Sequence, residues 1–422
     1  MVQMTSLANG LRILTVRLPH VQSASLGFFV GVGSRYESEA LAGASHFIEH
    51  MVFKGTERRP TPLAIAEAIE GKGGILEAST GLETTLYWAK VAAAHLPEAL
   101  DVLSDMLLFA KFEPAEMEKE RAVISEEISY TLDTPDGLSQ LLVNQLQWPA
   151  HPLGRDVAGT RQSVAGLSRG MLLDFMGRHY RPGAVILGVA GQVEHEQIVA
   201  WAQENLAQWE PGPRAAWEPA PGQHLGPMVE VRFKDTEQAQ LSFSFAGLAR
   251  GDPDRFVLNL LNVILGEGMQ SRLFQQVREQ LGLAYSVGSF ISILQDTGAV
   301  GLYAGVGPDR AEETIQAILD EVDRLRQEPV PEGELARAVE FVRGRLALSM
   351  EDSFAMAAWY AQQQLLGPEV LEPSEVVTRF EAVQASDIQR LAGEIFQTEK
   401  LNLAVVGPFA DNGDRFCRAA RF

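Results

Sequence analysis

The chain has 422 residues, 46% hydrophobic and 8% aromatic, and a formal net charge of −20. That length exceeds one ordinary domain and suits two of about 200 residues each. So acidic a chain offers no basic stripe for phosphates, so no nucleic-acid partner is expected; no run of about 18 apolar residues marks a membrane helix, so no membrane partner is expected either.

The start, MVQMTSLANGLRILTV, has no basic stretch followed by an apolar one, and no signal peptide is read there. A single cysteine, Cys417, rules out an intrachain disulfide and suits a reducing compartment, so a cytoplasmic location is expected. Residues 23–33, SASLGFFVGVG, alternate as a strand does. Residues 64–71 and 96–109 have helical periodicity, and 83–91 is strand-like. Pro114 stands where a first-turn proline is tolerated, and the helix it opens runs towards Tyr130. Residues 184–191, AVILGVAG, form a short apolar β-branched run. Residues 209–227 then carry five prolines, which excludes a regular helix or central strand and marks a semi-rigid linker.

Beyond the linker the design repeats. Residues 238–248 match 23–33, residues 401–407 match 184–191, and 330–341 match 112–123, at offsets of roughly 215 to 218. The expected organisation is therefore residues 1–208, a linker at 209–227, and a homologous domain at 228–422. Strands and helices are grouped rather than strictly alternating, which predicts an α+β fold with each half a sheet covered by helices.

Residues 43–56 read GASHFIEHMVFKGT. His46 and His50 are four apart, so on a helix both imidazoles lie on one face, where a single Zn²⁺ bridges them. Glu49 lies beside that face, where a general base for an attacking water belongs. The pattern H-x-x-E-H is a metallopeptidase signature. A catalytic zinc needs a third protein ligand, and KERAVISEEISY at 119–130 offers Glu120, Glu126 and Glu127. Glu120 and Glu127, seven apart, share a helix face, while Glu126 points about 100° away. All eight histidines lie at or before His224. Where the second half should repeat the motif it reads NLLNVILGEGM, and the position equivalent to Glu127 falls near Arg345, so only one half carries the metal site.

The motif segment GASHFIEHMVFKGTERRP, the distal glutamates, the duplication and the length together resemble the pitrilysin-type zinc metallopeptidases. The nearest branch is that of the mitochondrial processing peptidase and its small bacterial relatives. The resemblance implies one Zn²⁺ per chain, with Glu127, 77 positions after His50, as third ligand and Glu126 as the neighbouring alternative. It implies that Glu120 supports the ligands from behind. Residues 271–287, SRLFQQVREQLGLAYSV, look like the family's arginine–tyrosine element, implying substrate contacts from Arg278 and Tyr285. Residues 73–88 look like the edge strand on which peptide substrates pair. Relatives usually have Asn-Ala where this chain has Glu77-Ala78; an ionised glutamate cannot donate the hydrogen bond an asparagine can, whereas Ala78 still permits close backbone approach. The implied function is a zinc-dependent endopeptidase acting on peptides or unfolded segments in a dimeric chamber. Each chain would form half of a clam-shell and pair with a second copy or a paralogous subunit. The alternative is a non-catalytic scaffold subunit, a role in which the metal motif is typically degraded.

Overall fold

Period-two alternation of apolar side chains builds the first sheet. In β3 (Ser23–Val30) Leu26, Phe28 and Val30 enter one apolar cluster while Phe29 enters another on the opposite face; in β6 (Val185–Gly191) Val185, Leu187 and Val189 divide in the same way from Ile186 and Ala190. Both strands are buried along nearly their whole length because both faces are covered. The computed structural model describes residues 2–212, 214–222, 226–410 and 414–421. Pro213, Gln223, His224 and Leu225 of the proline-rich segment lie outside the described residues.

The other strands of this sheet are β1 (Val2–Ser6), β2 (Arg12–Arg17), β4 (Ile75–Thr80) and β5 (Thr85–Ala92), in the order β1-β2-β6-β3-β5-β4. Only β2 and β6 run parallel; the other pairs are antiparallel. The second sheet holds β7 (Met228–Phe233), β8 (Ala239–Ala246), β9 (Ala284–Ile293), β10 (Gly298–Val306) and β11 (Asn402–Gly407), in the order β7-β11-β8-β10-β9. Its one parallel pair, β7 with β11, falls where β2 and β6 fall in the first. Strand for strand and direction for direction, the second sheet repeats the first from β2 onward. The fold is α+β, with two mainly antiparallel sheets each covered by helices.

Five helices of the first part matter below: α1 (Ala44–Val52), α2 (Pro62–Ile69), α3 (Leu96–Phe109), α4 (Pro114–Asp133) and α5 (Pro135–Gln147). Residues 73–88 are not one edge strand. They are a hairpin in which β4 forms the edge and β5 lies inside the sheet, because the turn at Gly81–Thr84, closed by Gly81 N–H to Thr84 O at 2.8 Å, folds the run back on itself.

By contacts the chain divides into two units that interleave in sequence. The first is Met1–Ile128, Asp156–Glu218 and Ala347–Val370; the second is Ser129–Arg155, Pro219–Leu346 and Leu371–Phe422. The helix Ser353–Leu366 therefore covers the first sheet, where Ala357, Tyr360, Ala361 and Leu365 pack on Leu14, Phe29 and Ile186. Conversely, α5 covers the second sheet, with Leu138, Leu142 and Val143 against Ala404 and Val406. One of the chain's passages between units lies within the proline-rich segment, at Glu218–Pro219. Among the described residues no helix is long and apolar enough to cross a membrane.

Candidate metal centre

Helix α1 is amphipathic in a way that fixes its polar face. Phe47, Ile48, Met51 and Val52 are buried in the core of the first unit, which leaves His46, Glu49 and His50 half-buried on the other side. Its entry is held by a carboxylate: Glu37 accepts from the backbone N–H of Gly43 at 2.8 Å and of Ser45 at 2.6 Å, satisfying donors the helix cannot satisfy itself. Gly43 has φ 92°, and a Cβ there would stand 2.5 Å from the Ala158 carbonyl oxygen, so the entry turn requires glycine. The segment leaving α1 is tied to α3: Thr56 Oγ1 donates to Asp105 at 2.7 Å and Arg59 reaches both Asp101 and Asp105.

Helix α4 brings the remote carboxylates. Arg121 anchors it, donating to the carbonyls of Val164 and Leu167 while its guanidinium lies 5.4 Å from the Phe47 ring centre. Glu120 and Glu127 then face α1. Glu127 Oε2 is 3.7 Å from His46 Nε2 and 3.7 Å from His50 Nε2. Two donors each about 2 Å from a tetrahedral ion stand about 3.4 Å apart, so the three side chains are close to ligand spacing without rearrangement. Among the described residues, this is the group of histidines and carboxylates whose donor atoms converge, all within 4.8 Å of one another. Glu126, next in sequence, is exposed and is not part of it.

Electrostatics favour a cation. Burial, and then the neighbouring His50, hold the His46 imidazole down to a pKa of about 4, so at neutral pH it is uncharged and its lone pair is available. His50 Nδ1 lies 2.9 Å from Glu120 Oε2, which fixes the ring with Nε2 turned towards Glu127. The other Glu120 oxygen meets Lys54 Nζ at 2.7 Å. Burial opposes ionisation of Glu120, but the hydrogen bonds from Lys54 and His50 outweigh it and the carboxyl is lowered. Glu49 is raised, chiefly by burial, and accepts a hydrogen bond from Thr80 Oγ1 at 2.5 Å. Two histidines and a carboxylate, one histidine backed by a further carboxylate, form a donor set that suits zinc.

The remaining expected residues fall in two places. On β4, alternation turns Ala78 and Thr80 towards α1, with Ala78 packed on the core, whereas Glu77 is exposed on the opposite face, opposite Trp88 in the ladder. In the second unit, Arg278 sits in a π-helical turn, Phe274–Gln280, and its guanidinium lies 5.4 Å from the Tyr285 ring centre; Tyr285 is the second residue of β9 and is 76% exposed. Sequence reasoning missed Lys54 and Thr80. Lys54 was within reach, since it follows His50 by one helical turn; nothing in the period of 73–88 singles out Thr80.

The chain is similar to known proteins over nearly its whole length. The family model described as "Insulinase (Peptidase family M16)" matches residues 12–161, and that described as "Peptidase M16 inactive domain" matches residues 166–342. A Streptomyces coelicolor protein named as an uncharacterized zinc protease is 36% identical, covering 97% of this chain and 90% of its own length. The solved structure of a protease from Helicobacter pylori superposes with a TM-score of 0.90 at 21% identity, over 97% of this chain and 99% of the other. A structure from Pseudomonas fluorescens titled as a peptidase M16 inactive domain gives 0.89 at 20% identity, over 97% and 98%. At these identities the two structures establish the fold.

Proposed function

The chain belongs to peptidase family M16, the pitrilysin-type peptidases, and from that premise we propose that it is a zinc-dependent endopeptidase of peptides and unfolded segments. The observation that carries the reading is the convergence of His46, His50 and Glu127 beside the carboxylate of Glu49. In it, His46, His50 and Glu127 hold one zinc ion per chain. Bound there, zinc supplies Lewis acidity towards a scissile carbonyl and an attacking water.

The chain's own residues do the rest. Glu49 accepts the proton of the attacking water and passes it to the leaving amine; its raised carboxyl suits a group that must both take and return a proton. Glu120 holds the His50 ring, and Lys54 holds Glu120. An extended peptide adds to the free edge of β4, whose main-chain groups give affinity with little demand on sequence. Ala78 leaves room for that approach, and Glu77 faces a substrate side chain rather than donating to a substrate carbonyl. Arg278, half-buried, and the adjacent, exposed Tyr285 donate to a substrate carbonyl. In this reading the protein works in the cytoplasm as a dimer, with a second copy or a paralogous subunit.

The test is to purify the protein, measure its zinc content, and follow cleavage of a mixed peptide pool by mass spectrometry. Cleavage is expected for the wild type, with Glu49→Gln keeping zinc and losing activity by about a hundredfold or more. A zinc-loaded wild type that cleaves nothing would favour the scaffold role; unchanged turnover in Glu49→Gln would remove Glu49 as the base.

A further inference from the structure

We infer that Thr80 is a positioning residue: its hydroxyl sets the orientation of the Glu49 carboxylate, acting from the last residue of the edge strand. The kinetic part of the inference rests on the proposed peptidase reading; the structural part rests on geometry alone.

An ionised carboxylate only accepts hydrogen bonds, and the terminal torsion of a glutamate is broad, so it points reliably only where a donor holds it. Thr80 Oγ1 is that donor, 2.5 Å from Glu49 Oε2, which leaves the second oxygen to meet the water. Threonine suits the task because its branched Cβ restricts its own rotamers.

The donor is itself fixed. Thr80 pairs with Thr85 in the β4–β5 ladder, and Thr85 Oγ1 donates to Val32 O at 2.9 Å. The tip of the hairpin is bound to the following residues of the same segment: Ser34 N–H to Gly81 O at 3.1 Å and Arg35 N–H to Leu82 O at 2.9 Å. A Cβ on Gly33 would fall 2.2 Å from the Gly81 oxygen, so this approach requires glycine. Arg35 and Glu83 close the tip with a buried ion pair at 2.7 Å. The same short stretch, at Glu37, also holds the start of α1. Residues 32–37 thus clamp both the helix that carries the base and the hairpin that carries its donor. A peptide pairing along β4 lies on the strand that sets the base.

The experiment compares full-length Thr80→Val, which removes the hydroxyl and keeps the branch, with Thr80→Ser, which keeps the hydroxyl. Steady-state kinetics on a cleaved peptide, zinc affinity by chelator competition, and crystal structures of the zinc-loaded proteins are measured. Thr80→Val is expected to lower kcat about tenfold, the scale of one hydrogen bond to a charged group, with KM and zinc affinity within about twofold of wild type. Thr80→Ser recovers most of the loss. The Glu49 side chain takes one conformation in wild type and Thr80→Ser and more than one in Thr80→Val. Should the valine variant not fold, Thr80→Ala is read in the same way. Wild-type kcat in Thr80→Val, a loss carried by KM or by zinc affinity, an equal loss in Thr80→Ser, or a Glu49 that stays fixed without the hydroxyl would each overturn the inference. A wild type that cleaves no peptide would sink the peptidase reading, while the crystal structures still decide the role of Thr80.

Discussion

Helix α1 and the helix Arg255–Gly266 follow equivalent strands, β3 and β8, in equivalent sheets, but they present opposite chemistry. On α1 the residues His46, Glu49 and His50 stay half-buried and converge with α4. The other helix is buried along nearly its whole length, and its buried polar residue Asn262 is already committed: Ser289 Oγ donates to it at 2.7 Å and its amide donates to Glu267 at 3.1 Å. Helix Glu332–Ser349, the counterpart of α4, carries Arg345 near the position of Glu127. The scaffold therefore does not make the site. Four side chains on two helices, kept partly open, separate the half proposed to bind metal from one whose equivalent helix is packed away.

Variants sharpen this contrast. The largest effect after loss of the base belongs to the remote ligand: Glu127→Gln is expected to weaken zinc about a hundredfold in chelator competition, and Glu126→Gln less than about twofold. The reverse ranking would move the ligand to Glu126. Next comes the support behind His50. Lys54→Met should weaken zinc about tenfold, and Lys54→Arg, which keeps a charged donor towards Glu120, should restore most of it. Equal losses in both would mean that Lys54 acts through packing alone. The smallest functional effect is expected in the other half. Asn262→Ala should leave zinc affinity and turnover as they are and lower unfolding stability by about 1–3 kcal/mol, read from denaturant curves. A change in turnover at unchanged stability would show that this helix is more than packing.

What was legible in the sequence was what repeats locally. The i, i+4 histidines needed only the helical period, and β3, β6, α3 and α4 emerged from periodicity and proline placement. The duplication was legible because paired strands kept near-constant spacing. Glu120 and Glu127 could be placed on one face, but their meeting with α1 depends on how α4 docks through Arg121, Val164 and Leu167, and no local pattern encodes that. Thr80 and the Arg35–Glu83 pair stayed hidden for the same reason: each joins segments more than 30 residues apart through side-chain geometry. For helices α5 and Ser353–Leu366, nothing in their amphipathic pattern says which sheet they cover.

That exchange of covering helices bears on why a half without histidines persists. Tyr360 and Ala361 come from the later copy but shield Phe29 and Ile186, on the face of the first sheet opposite the one that α1 packs against. The earlier copy could not stand alone: a gene shortened to it would encode a sheet with one greasy side bared to water. Part of the later copy has become a roof over the earlier one's sheet, and the two can no longer be parted without baring it.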